Sequence, residues 1–318
     1  MLRILNFLGR HASLFMAGGV FVGLAFPALA TAAKPLFAPL ILAMLTVSML
    51  RIEPVAIARQ ITRPVRLVLA IIWILLLAPC LTFIAVRSIG LDETLSMALV
   101  MWSASPPLVS APSIVLIMGL EGAAALAVMV GATFAFPFTV PWIALGLLDI
   151  EVEIGAFELM FRLLAMVGGA ALLSQILRRV FGKARINAAH APLDGFMVIL
   201  MVFFAIAIMD GLTAAMIENP VRIGWYVVAA FSMALAMQCV AAPIFGYRDR
   251  MSGAAIAVAS GNRNMALILA ASASAFAPET FIYLAVLQFP IYLLPAVTGP
   301  IYRKWVLPLT STKSHPEG

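Results

Sequence analysis

Apolar residues fill long stretches of this chain, and polar residues collect in short intervals between them. A helix that crosses a bilayer needs about 20 mostly apolar residues. Ten stretches come close to or reach that length: 12–31, 35–50, 67–86, 95–120, 123–148, 157–177, 195–217, 223–246, 251–277 and 280–302. The third is the cleanest, because 67–86 is uncharged and lies between Arg66 and Arg87. The pattern predicts an all-α integral membrane protein with ten transmembrane helices.

Composition narrows the class. Apolar residues make up 64% of the 318 and charged residues only 11%, whereas a soluble domain carries about 25% charged residues. So few charges cannot cover a soluble surface of this size. A soluble enzyme, a nucleic-acid-binding domain and a disordered chain are excluded. The net charge of +6 is therefore read as topology. With the N-terminus inside and sides alternating, the inner segments hold Arg3, Arg10, Arg51, Arg59, Arg63, Arg66, Arg178, Arg179, Lys183, Arg185, Arg248, Arg250, Arg303, Lys304 and Lys313. The outer segments hold Lys34, Arg87, Arg162 and Arg222 among acids such as Asp92, Glu93, Asp149, Glu151, Glu153, Glu218 and Glu279. That asymmetry follows the positive-inside rule and predicts both termini in the cytoplasm. The expected setting is a bacterial inner membrane. Arg3, Arg10 and Ala28-Leu29-Ala30 also fit a signal peptide, but the apolar run is long for one.

Two spans are broken. The fourth carries Ser103-Ala104-Ser105-Pro106-Pro107-Leu108-Val109-Ser110-Ala111-Pro112-Ser113 in its middle, and the ninth carries Ser260-Gly261-Asn262-Arg263-Asn264. Pro106, Pro107 and Pro112 remove donors and clash with the preceding turn; Gly261 is the breaker in the ninth. The breaks fall in the fourth span of each half. Two inverted five-span repeats are thus expected, at 1–153 and 154–309, with a polar tail at 310–318. Trp73–Pro79 and Gln238–Pro243, both closing on Ala-Pro, are weak echoes of that repeat. Interrupted segments in matching places point to the site of a secondary transporter. Unwound backbone at membrane depth survives only inside protein or beside a watery cavity.

At these residues the chain resembles the bile acid:sodium symporter family. Gly261-Asn262-Arg263-Asn264 lines up with that family's Gly-Met-Gln-Asn crossover, and Gly119-Leu120-Glu121-Gly122 resembles its turn from span four into span five. The resemblance covers nearly the whole chain. It implies crossing broken helices four and nine, a core domain of spans three to five and eight to ten, and a panel domain of spans one, two, six and seven. It also implies transport of organic anions with sodium by alternating access. The chain departs from the family at the sodium ligands. Ala259 stands where the family has a glutamate and Arg263 where it has a glutamine. Ile114, beside Ser113, takes the place of an asparagine. Ala127 and Gly131 replace a serine and a threonine, and Ile74 a glutamine, although Gln238 holds the equivalent place in span eight. Sodium, like other hard cations, wants oxygen ligands; strict sodium coupling is therefore not expected. A sodium symporter with a site rearranged around Ser113, Ser260, Asn262 and Gln238 is the alternative, and a receptor or structural membrane protein is a second.

Other chemistry finds no footing. His11, His190 and His315 lie in loops or tails, so no metal site or Ser–His pair can form within a span. No phosphate loop is present, and all four lysines lie outside the spans. No enzyme activity, cofactor, metal or nucleic-acid partner is expected. Cys80 and Cys239 read as small core residues.

Arg263 carries the sharpest expectation. A mid-membrane arginine costs at least about 2.5–3.5 kcal/mol and stays protonated, and spans four, five, eight and ten offer no acid at its depth. It is expected to pair with a small or amphipathic organic anion, with Asn262, Asn264, Ser260, Ser105, Ser110 and Ser113 completing a polar shell. A second reading makes Arg263 a built-in replacement for sodium, bonded to carbonyls of the broken fourth helix. Asp210, about 20 Å from the inner face, is a candidate proton site or an acid at the outer interface; sodium or a proton is the candidate coupling ion.

Overall fold

A computed structural model describes residues 2–51, 64–148, 155–271 and 278–306. The expected repeat boundary at 153/154, the tail at 310–318, and Arg59, Arg63, Lys313, Asp149, Glu151 and Glu153 lie outside the described residues. Within them the chain is 88% helix with no strand. Six helices are long and apolar enough to cross a membrane: Pro27–Leu50, Pro64–Ile89, Ala156–Phe181, His190–Glu218, Pro220–Gly246 and Glu279–Val306. Two bent pairs raise the number to eight, Arg3–Gly9 with Leu14–Ala25 and Ala123–Phe138 with Val140–Leu147. The second pair bends by 56° at Thr139, directly after the tight turn Phe136–Phe138, which holds Pro137.

The first boundary differs from the sequence expectation. The break falls at Phe26, not between 31 and 35. Pro27 opens the next helix, because proline suits a first helical turn and cannot continue an existing one. Helix then runs through Lys34, which the hydropathy pattern had placed in a loop.

The expected fourth and ninth spans are each two helices with a gap. Glu93–Ala104 and Ala111–Ile117 form one, Arg250–Gly261 and Ala266–Ala271 the other. Their first halves match closely. Each is 12 residues long, and each is capped by an aspartate: Asp92 accepts from the Leu95 N–H and Asp249 from the Ser252 N–H. An aspartate there satisfies a free N–H and complements the helix dipole.

Side chains assigned to one side of the membrane meet one another. From the inner set, Arg66 pairs with Asp249 at 3.0 Å, and Arg250 donates to the Trp305 carbonyl at 3.1 Å. Arg178 donates to the carbonyls of Met49 and Leu50 at 3.1 and 2.9 Å, closing the end of that helix. From the outer set, Lys34 pairs with Asp210 at 2.8 Å, and the Thr213 hydroxyl donates to the Leu24 carbonyl at 2.9 Å. Arg162 pairs with Glu158 one turn away at 2.6 Å, as the i,i+4 spacing predicts. Cys80 and Cys239 are free and exposed, not in the core: both lie on outward helix faces.

Asp249 lies outside the spans and joins two of these features. Burial pushes its carboxyl up, but hydrogen bonds from Ser252 and the Arg66 guanidinium outweigh that and hold it below the usual carboxylate range. A depressed carboxylate stabilises the fold above its ordinary range and loses that contribution as acid protonates it. Asp249→Asn, which keeps a cap but loses the charge, should melt below wild type at neutral pH, and the gap should close in acid. Asp249→Ala should cost about 1 kcal/mol more than Asp249→Asn through the lost cap. Thermal unfolding in detergent across pH checks both.

Candidate functional site

The two gaps meet. Between Ala104 and Ala111, and between Gly261 and Ala266, the chain leaves the helix, and the two gaps run antiparallel where Pro107 lies opposite Arg263. The Leu108 N–H donates to the Asn262 carbonyl at 2.8 Å, and the Asn264 N–H to the Pro106 carbonyl at 2.7 Å. Each break supplies the partners the other lacks. Prolines stop the helix there, so carbonyls in the gap have no intrahelical N–H and need outside partners.

A third interruption lies beside them. The helix Pro64–Ile89 widens over Trp73–Leu77, where the Ala78 N–H reaches back to the Trp73 carbonyl five residues away. In that register the Ile74 carbonyl faces Pro79, which has no N–H. Arg263 fills the deficit. Its Nη1 donates to the carbonyls of Ile74 and Ser105, both at 3.1 Å, and its Nε donates to the Ser260 carbonyl at 2.7 Å. The residue is 1% exposed. Its Nη2 amino group has no acceptor among the described residues. Three of the five N–H groups of the guanidinium are thus spent on backbone, and two are not.

Neighbouring polar groups are mostly self-satisfied. The Trp73 indole donates to the Ser260 hydroxyl at 3.1 Å. The hydroxyls of Ser103 and Ser105 return to the carbonyls of Val100 and Met101, and the Asn262 amide to that of Val258. Gly261 ends its helix and also permits a close approach: a Cβ there would lie 2.6 Å from the Ala234 carbonyl and from Gln238 Cγ. Gln238 is buried and its Oε1 has no donor among the described residues.

A cavity opens on the crossover. Its polar wall is Arg263, Asn264, Ser110, Gln288 and Tyr292, and its apolar wall includes Met16, Ile41, Met44, Met201 and Phe204 from the first, second and seventh apolar stretches. The free volume is about 50 Å³, room for a few waters but far below the several hundred Å³ that a drug-sized ligand fills. An organic ligand can enter only if the helices part.

The structure therefore brings Arg263, Asn264 and Ser110 to one wall, with Asn262, Ser260, Ser105, Pro106, Pro107 and Gly261 forming the crossover behind it. It does not bring Ser113 there; that side chain is exposed on Ala111–Ile117. Pro112 lies in the first turn of that same helix and starts it, where the sequence reading had it as a breaker. Asp210 is also elsewhere, held by Lys34 and by the Thr31 hydroxyl at 2.7 Å. Gln288 and Tyr292 escaped the sequence reading. They are an i,i+4 polar pair in the last span, with the Tyr292 hydroxyl donating to Gln288 Oε1 at 3.2 Å, and that spacing was the available signal. Among the described residues no cluster of His, Cys, Asp and Glu could hold a metal ion.

No family model and no curated protein matches the chain.

The close approach at Gly261 gives a direct check. Gly261→Ala should lower stability by about 1–3 kcal/mol by forcing Gln238 and the 234 backbone apart. Gly146→Ala, in a helix with open space around its Cβ position, should be neutral or mildly stabilising. Thermal unfolding of the two variants side by side measures the difference.

Proposed function

We propose that the protein is a secondary transporter that moves a small or amphipathic organic anion by alternating access, without strict dependence on sodium. The observation that carries this reading is the antiparallel meeting of two helix gaps around a buried arginine, on the wall of a narrow cavity. Eight candidate spans and two interrupted ones make ten. The matched Asp-capped half-helices support an inverted repeat, as do the openings Pro64-Val65-Arg66 and Pro220-Val221-Arg222 of two spans. The cavity lies between the crossover and the first, second and seventh stretches, consistent with a core moving against a panel as in the bile acid:sodium symporter family. In that division Arg263 serves the anion's charged end and the methionines and Phe204 its apolar body; methionine adapts to varied apolar shapes.

The loss of sodium ligands motivates sodium independence, and the carbonyl bonds of Arg263 agree with a fixed cation in their stead. One observation favours the sodium-coupled alternative: Gln238 Oε1 is a buried acceptor with no donor among the described residues, which a cation would satisfy. Exchange of labelled naphthalene-2-sulfonate across proteoliposomes that contain the unlabelled anion separates the readings. The rate should stay within about twofold when potassium replaces sodium on both sides. Loss of exchange in potassium would establish coupling to sodium, and absence of protein-dependent exchange in either salt would reject an anion transporter.

Topology is tested separately. Single cysteines replacing Ser88 and Lys183, both exposed, should react with impermeant thiol reagents from opposite sides, Ser88→Cys from outside and Lys183→Cys from the cytoplasm. Reaction of both from one side would break the ten-span assignment.

A further inference from the structure

We propose that the protein is an obligate anion exchanger: its site changes sides only while an anion occupies it, so one anion leaves for each that enters. The inference rests on the anion-transporter reading above and goes beyond it in naming the counter-substrate, a second anion.

The argument begins with the covalent attachment of the positive charge. A mobile cation can leave a carrier and let it return neutral, but Arg263 cannot leave. The three carbonyls that hold it, of Ser260, Ile74 and Ser105, are neutral dipoles. They orient the guanidinium without cancelling its charge. The rest of the polar wall, Asn264, Ser110, Gln288 and Tyr292, is neutral too. Among the described residues, no carboxylate lines the cavity and no protein group accepts from Nη2. Asp210 and Asp249 lie away from Arg263 and are paired with Lys34 and Arg66. Among the described residues, then, nothing lining the cavity can take the place of the anion.

This matters most when the cavity is closed. Nη2 is buried without a partner, and the cavity that Arg263 lines has only about 50 Å³ of free space, too little for a full hydration shell around the guanidinium. Charged donors sealed from water without an acceptor are among the costliest arrangements in a protein interior. An anion removes that penalty by accepting both N–H groups and bringing the net charge of the site to zero. The closed form is accordingly reached far more readily with anion than without, and the empty return is the step that is blocked. A barrier difference of the size of one unmade charged hydrogen bond slows it at least about tenfold.

The experiment uses the purified full chain in liposomes, with potassium and valinomycin clamping the membrane potential so that charge build-up does not limit net movement. Naphthalene-2-sulfonate and methanesulfonate serve as probes, since both stay ionised and do not cross lipid as neutral acids. Binding is measured first by equilibrium dialysis, then initial uptake of the bound probe into vesicles holding either the potassium salt of the same anion or only the potassium salt of an impermeant polyanion. Uptake at least tenfold slower into the polyanion vesicles is expected. Equal initial rates in the two would overturn the exchange inference and leave the anion transporter intact. Failure of both probes to bind, or to move even into anion-loaded vesicles, would overturn the anion reading and this inference with it.

Discussion

The guanidinium of Arg263 joins three interrupted backbones. It takes the Ile74 carbonyl that Pro79 leaves without a partner, the Ser105 carbonyl at the end of one half-helix, and the Ser260 carbonyl at the end of another. Removing backbone polar groups from water without partners costs several kcal/mol each in a hydrocarbon setting. A fold with helix gaps at that depth needs a donor-rich group where they meet, and arginine is the side chain with the most donors in a rigid plane. The remaining crossover bonds, Leu108 to Asn262 and Asn264 to Pro106, depend on the same arrangement, because they hold only while the two gaps lie side by side.

The cost of burying Arg263 is thereby partly met by backbone, which is why the residue can serve two ends. A guanidinium satisfied wholly by carbonyls would be a structural cation and nothing more. One with all its donors free would be too expensive to bury. Here three N–H groups anchor it and the two on Nη2 are left over, in a residue that also lines a largely apolar cavity. The proposed function grows from that remainder. The two readings of Arg263 that the sequence left open, substrate partner and internal replacement for sodium, are compatible in this geometry, since they use different nitrogens.

The helical class and the location of the gaps were legible from hydropathy and proline alone, because both express local rules that no tertiary contact overrides. The broken segments 103–113 and 260–264 could be read as one site because Pro106 and Pro107 interrupt one apolar run, and the polar residues around Gly261 interrupt the other at the matching place. Other features were not legible for definite reasons. The boundary at Phe26 depends on Pro27 winning over Lys34 as the punctuation mark, and hydropathy weights the charge more heavily. Ser113 faces outward because Ala111–Ile117 begins with Pro112 in its first turn, and the rotation of so short a helix cannot be read from its sequence. The part played by Ile74 is carried by its carbonyl, and a side-chain reading of an isoleucine has no means of seeing it. Asp210 stood in an apolar stretch like a site residue; its partner Lys34 is 176 positions away in sequence and was assigned to a loop.

The central claim is that Arg263 holds the substrate's charge, and equilibrium binding tests it most directly. Naphthalene-2-sulfonate and the neutral naphthalene-2-sulfonamide would be titrated against folded, purified wild type and Arg263→Gln, with circular dichroism and melting confirming that the variant is folded. The account expects the sulfonate to lose at least about tenfold in affinity, roughly 1.4 kcal/mol, while the sulfonamide binds both proteins equally. A folded Arg263→Gln protein that binds the sulfonate as tightly as wild type would contradict it and leave Arg263 a purely structural cation.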